Sequence, residues 1–149
     1  SSRRRDALML ELRYARFWRA SSLVLLILVL AATLMPAAWF WSDKVTLAGW
    51  AAYFDKFVHF LIFLGLSIWF SGLFRKSSYW RVGIGLLAFG LLIEICQRAV
   101  GYRSAEWMDV AGDALGILAG LGLALLGLGS WCRHFETWWA GRREDPAVD

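Results

Sequence analysis

The chain has 149 residues, 59% hydrophobic and 19% charged, with ten Trp, ten Phe and a formal net charge of +4. A water-soluble domain of that length lacks the polar side chains to cover so much apolar surface, so lipid is its natural solvent. The small positive charge speaks against a nucleic-acid partner, and two cysteines outside any CxxC pair, Cys96 and Cys132, exclude a disulfide framework.

Residues 1–19 are basic, with Arg3, Arg4, Arg5, Arg13, Arg16 and Arg19 against Asp6 and Glu11. Leu8, Leu12 and Ala15 recur at helical spacing, which predicts an interfacial amphipathic helix. Residues 21–41 form a first apolar run long enough to span about 30 Å of hydrocarbon, with Pro36 near its far end. The run is too long for a signal peptide, and Pro36-Ala37-Ala38 is a poor cleavage site. Residues 42–54 read as a loop whose Trp50 and Tyr53 suit an interfacial belt. Further spans follow at about 55–74, 82–98 and 109–131, and residues 132–149 read as a tail that is interfacial and then disordered past Pro146. His134 lies in that tail with no site attached, and both cysteines read as buried helix residues. The fold class is an all-α membrane protein, a four-transmembrane-helix bundle over residues 20–131 preceded by the interfacial helix at 1–19.

Basic residues set the orientation of such a bundle. Twelve lie in the N-terminal segment, the second loop and the tail, against four (Lys44, Lys56, Arg98 and Arg103) at the first and third loops. Both termini are therefore expected in the cytoplasm.

That orientation gathers the ionisable residues of the last three spans at the extracytoplasmic end. Asp55, Lys56 and His59 open the second span, Glu94, Gln97 and Arg98 close the third, Arg103 is in the loop beyond, and Asp109 and Asp113 open the fourth. Asp55 and His59 share a helix face at i, i+4. Asp109, Asp113, Gly116 and Gly120 form one stripe, and its glycines favour close helix approach, so the two acids are expected to face inward with them. Gly90, one turn below Glu94, is expected to play the same part on the third helix. Ionisable groups at membrane depth are costly, which makes them candidates for function. Four acids and three bases also suffice for a salt-bridge network that ties helix ends together, with Asp109 as an N-cap.

The pattern Asp55-Lys56-x-x-His59-Phe60-x-x-Phe63, then Glu94-x-x-Gln97, then Arg103 with Asp109-x-x-x-Asp113-x-x-Gly116-x-x-x-Gly120 resembles the VanZ-like family of small bacterial membrane proteins. The family pattern usually has Asn where this chain has Asp113, so the site here is more acidic. The resemblance implies a four-helix inner-membrane protein of the bacterial cell envelope, in a family whose founding member is linked to low-level teicoplanin resistance. It brings no agreed reaction.

The residues themselves favour binding over catalysis. The ligand expected is a lipid head group or a lipid-linked cell-wall intermediate, held by Lys56, His59, Glu94, Gln97, Arg98, Arg103, Asp109 and Asp113, with Arg103 and Arg98 suited to phosphate. For catalysis, His59 would be a general base oriented by Asp55, with Glu94 as a second acid. A small lipid transporter is a further alternative, and a homodimer would supply the spans it needs. No cofactor is required, although one His among carboxylates (His59, Asp55, Glu94, Asp113) is a permissive set for a divalent cation. Lipids are the expected partners, and nucleic acid is not.

Overall fold

A computed structural model describes residues 10–35, 48–100 and 107–143. Five α-helices dominate it: α1 (Ala15–Leu34), α2 (Ala48–Leu73), α3 (Tyr79–Val100), α4 (Trp107–Leu123) and α5 (Trp131–Arg143). Four stretches are long and apolar enough to cross a membrane: Ala15–Leu34, Tyr53–Leu73, Lys76–Ala99 and Trp107–Leu128. The chain is thus a multi-pass membrane protein of the expected all-α class.

Its packing is polar inside and apolar outside. Leu23, Val24, Ile27 and Leu28 of α1, Ile84 and Ile95 of α3, and Leu115 and Leu118 of α4 are exposed, while Ser22, His59, Ser67, Ser71, Glu94, Gln97, Asp109 and Asp113 are buried. Lipid has no reason to drive apolar side chains inward, so helices associate through close contact and shared hydrogen bonds. A layer of Phe63, Leu66, Val82, Leu86, Ile93 and Ile117, covered by Leu25, Leu26, Val29 and Leu30 of α1, fills the middle of the bundle.

The bounds of several elements depart from the sequence reading, each for a local reason. The helix of the first span ends at Leu34, because Met35 precedes Pro36 and takes an extended ψ of 133°; residues 36–41 of the expected span lie outside the described residues. α2 begins at Ala48, so part of the segment read as the 42–54 loop is helical, with Ala48, Ala51 and Ala52 favouring the helix despite Gly49. Residues 10–12 of the segment read as an interfacial helix are not helical; the Leu10 amide instead bonds the Leu73 carbonyl at 2.9 Å. Residues 1–9 of that segment lie outside the described residues. The fourth span does not run unbroken to residue 131. After Leu123 the helix widens over Ala124–Leu128, and Gly127 there adopts φ 149°, which only glycine tolerates without strain.

The tail forms α5, which docks on the start of α1 through one carboxylate. Glu136 accepts hydrogen bonds from the Arg13 and Tyr14 amides at 2.9 and 3.1 Å and from the Trp18 indole at 2.8 Å. It serves as an N-terminal cap supplied from another helix, favoured by the α1 dipole. Around it Trp18, Trp69 and Trp131 meet edge to face with centroids 5.3–5.8 Å apart. The Trp69 indole bonds the Ser22 hydroxyl at 2.9 Å, and the Trp131 indole bonds the Ile68 carbonyl at 3.0 Å. This end of the bundle satisfies the indole donors it buries.

Cys132 lies fully buried in that aromatic cluster, and both cysteines are free thiols. Burial, reinforced by the nearby Glu136 charge, pushes the Cys132 thiol up to about 12. Since the thiolate is the reacting form, Cys132 is expected to resist maleimide at pH 7.5 in the folded protein and to label fully once the chain is unfolded in detergent. Rapid native labelling at Cys132, read by mass spectrometry of peptides, would contradict the α5 docking.

Candidate functional site

The opposite end of the bundle is built differently. α2 delivers Lys56 and His59 three residues apart, α3 delivers Glu94 and Gln97 at the same spacing, and α4 delivers Asp109 and Asp113 four apart. In each case the spacing puts the pair on one helix face, about one turn apart in depth.

Close approach of α4 to α2 brings them together. A side chain built at Gly112 would lie 3.3 Å from the Lys56 carbonyl, one at Gly116 would collide with the Phe60 carbonyl, and one at Gly120 would stand 2.7 Å from the Leu64 carbonyl. The helices therefore touch backbone to backbone along the stripe, and Asp113 enters the bundle between them as its spacing predicts. Gly90 completes the arrangement from α3. A Cβ there would sit 2.6 Å from Asp113 Oδ2, so the missing side chain at Gly90 is the space that Asp113 occupies.

The result is a buried His59–Asp113 pair, with His59 Nδ1 2.9 Å from Asp113 Oδ1 and side chains 2% and 0% exposed. Because the carboxylate accepts, Nδ1–H donates, which leaves Nε2 as an acceptor in the neutral ring and a donor only in the cation. Lys56 Nζ lies 3.8 Å from Asp109 Oδ1, an ion pair too long to be a hydrogen bond. Gln97 donates to the Thr33 carbonyl at 3.0 Å, which ties the end of α1 to the cluster. Sequence reasoning missed Thr33. The available signal was Pro36, since ending α1 early leaves carbonyls of its last turn without helical donors.

What distinguishes this end is what remains unpaired. His59 Nε2, both Glu94 carboxylate oxygens, Gln97 Oε1, Asp109 Oδ1 and Asp113 Oδ2 are buried, and among the described residues none of them makes a hydrogen bond. Glu94 lies within electrostatic reach of Asp109, His59, Asp113 and Arg98, and His59 within reach of Asp109 and Glu94 as well as Asp113. Buried polar atoms without a hydrogen bond among the described residues therefore come from all three helices, Asp109 Oδ1 having only its long ion pair to Lys56. Buried polar groups are almost always bonded in folded proteins, and leaving each one unmade costs roughly 1–3 kcal/mol. The tryptophans at the other end show that this chain can meet that requirement.

The predicted site residues divide as follows. His59, Glu94, Gln97, Asp109 and Asp113 come together and are buried, Lys56 is half-buried beside them, and Arg98 is exposed at the rim. Arg103 lies outside the described residues. Asp55 is half-buried one turn nearer the start of α2, and it is Asp113 from α4, not Asp55, that orients the His59 ring. The i, i+4 spacing of Asp55 and His59 was a weaker guide than the glycine stripe that seats Asp113 opposite the imidazole. Asp109 sits within the first turn of α4, where it is buried and faces Lys56. Among the described residues no three of His, Cys, Asp and Glu come together in a way that could hold a metal ion, so the set of His59, Asp55, Glu94 and Asp113 is not a ready-made cation site.

The family model of VanZ/LLP1 matches residues 8–128, a range that includes every member of the cluster. No curated protein and no solved structure matches the chain.

Proposed function

The chain belongs to the VanZ/LLP1 family, and from that premise we propose that its polar cluster is a binding site for a lipid head group, or for the head of a lipid-linked cell-wall intermediate, at the outer face of a bacterial inner membrane. The observation that carries this reading is the set of unpaired polar atoms on α2, α3 and α4. A network that existed only to tie helices together would close on itself, as the Glu136 and tryptophan contacts do. Here neither Glu94 oxygen has a hydrogen-bond partner among the described residues, although Glu94 is only 6% exposed. Glycopeptide tolerance is the cellular role this reading inherits from the family resemblance. A second reading, a helix-tying module, draws its support from the His59–Asp113 and Lys56–Asp109 pairs.

Native mass spectrometry of the protein released from mild detergent tests the proposal. The wild type is expected to carry a lipid-sized adduct that Glu94→Gln loses. A wild type that sheds all lipid as readily as the variant would leave the helix-tying reading in its place.

The orientation also follows from the excess of basic residues at the other end of the bundle. Trp107 is 79% exposed at the start of α4 and Trp139 is 44% exposed on α5. A cysteine at 107 should react with an impermeant maleimide in intact spheroplasts, and one at 139 only after permeabilisation. The reverse pattern would invert the topology and place the site on the cytoplasmic side.

A further inference from the structure

The unpaired atoms have a chemical bias. Five of the six are oxygens of Glu94, Gln97, Asp109 and Asp113, which accept hydrogen bonds, and His59 Nε2 is also an acceptor while the ring is neutral. A phosphate, itself rich in acceptors, is a poor match for that interior. A group with several N–H donors and a positive charge matches it, because it would pair the oxygens and neutralise a carboxylate buried at membrane depth.

The bases are placed one step nearer the end of the bundle. On α3 Arg98 lies four residues beyond Glu94 toward the helix end and is exposed. On α2 Lys56 lies three residues before His59, toward the helix start, with a side chain 24% exposed. At about 1.5 Å per residue each base is thus roughly 4–6 Å nearer the end than its acceptor partner. Asp109 already shares Lys56, so Arg98 is the stronger of the two toward an anion. Acceptors deep and bases at the rim make the polarity of a zwitterion that enters cation first.

We infer that the site takes the phosphoethanolamine head group of a membrane lipid, with its primary ammonium on the Glu94 carboxylate, both of whose oxygens lack a hydrogen bond among the described residues, and its phosphate outward on Arg98 and Lys56. The inference rests on the head-group reading above and narrows it to one chemistry. Two carbons separate ammonium from phosphate in this head group, which fits a separation of about one helical turn. A choline head group keeps the charge and the phosphate but has no N–H to donate. A glycerol head group has hydroxyl donors but no cation.

The test is a lipid panel on the full chain, with phosphatidylethanolamine, phosphatidylcholine and phosphatidylglycerol of identical acyl chains offered at equal concentration and retention read by native mass spectrometry. The wild type is expected to retain the ethanolamine lipid about tenfold over each of the others, which corresponds to about 1.4 kcal/mol. Glu94→Gln is expected to bring the ethanolamine and choline lipids to parity. Arg98→Gln, at an exposed position, is expected to weaken both together and keep their ratio. Equal retention of ethanolamine and choline lipids by the wild type would overturn the inference. A preference for the glycerol lipid that Glu94→Gln abolishes would overturn the ammonium and leave the head-group site standing. Absence of any retained lipid, with no effect of Glu94→Gln, would overturn both. Displacement of the ethanolamine lipid by soluble glycerophosphoethanolamine at equal concentration would overturn the membrane source of the ligand.

Discussion

Gly116→Leu is expected to lower the melting temperature of the purified protein in detergent by about 10 °C, on the order of 3 kcal/mol for a chain of this size. A Cβ at this position already collides with the Phe60 carbonyl and lies 3.0 Å from the Leu64 amide nitrogen, so even the first added carbon meets backbone. Backbone cannot step aside as a flexible side chain can, and α4 would have to lift off α2. Lifting α4 also withdraws Asp113 from His59, so the variant should lose bound lipid along with stability. Gly122 on the same helix supplies the control, because nothing lies within 4 Å of a Cβ built there. Gly122→Leu is expected to melt within a degree or two of wild type. If Gly116→Leu melts with it, the stripe faces lipid and the inward placement of Asp113 falls.

The second large effect is a loss of function without a loss of fold. Glu94→Gln keeps the size of the side chain and removes a buried ionisable group whose oxygens have no hydrogen-bond partner among the described residues. A carboxyl group without such partners contributes little to the fold where it stands, so this variant is expected to melt at or above wild type. His59→Gln is less benign, since Asp113 loses the donor that His59 Nδ1 provides at 2.9 Å. Unless the new amide replaces that bond, the cost is about 1–3 kcal/mol. Both variants should reach the membrane at normal abundance and fail to restore glycopeptide tolerance in a strain lacking the native gene. Full complementation by both would remove the case for a site and favour the helix-tying module.

The site was more legible than the helix bounds. His59, Glu94, Gln97, Asp109 and Asp113 announced themselves as polar residues in apolar runs, and the glycines at i+3 and i+7 from Asp113 fixed which way it points. Helical periodicity is a local property and survives into the structure. The partner of His59 was misread because the sequence shows neighbours along a helix and not across a helix pair. Asp55 lies on the same helix as His59, whereas Asp113 arrives from 54 residues away. The Glu136 cap on α1 was invisible for the same reason, being 118 residues from Trp18. The tail carrying Glu136 is mildly polar on average, so only docking against α1 reveals that it is a structured helix. Pro36 was read as lying inside a run that continued to residue 41, whereas α1 ends at Leu34 with the extended Met35 before the proline.

A site at this end of the bundle requires that something other than the protein complete the cluster. A crystal structure of the full chain grown from a lipidic phase supplemented with phosphatidylethanolamine answers this most directly. It should show head-group density within hydrogen-bond distance of the Glu94 carboxylate, with the acyl chains lying along the apolar outer surface of the bundle. A structure in which Glu94 and Gln97 have turned to bond their own neighbours, with the cluster closed and no density against it, would contradict the site.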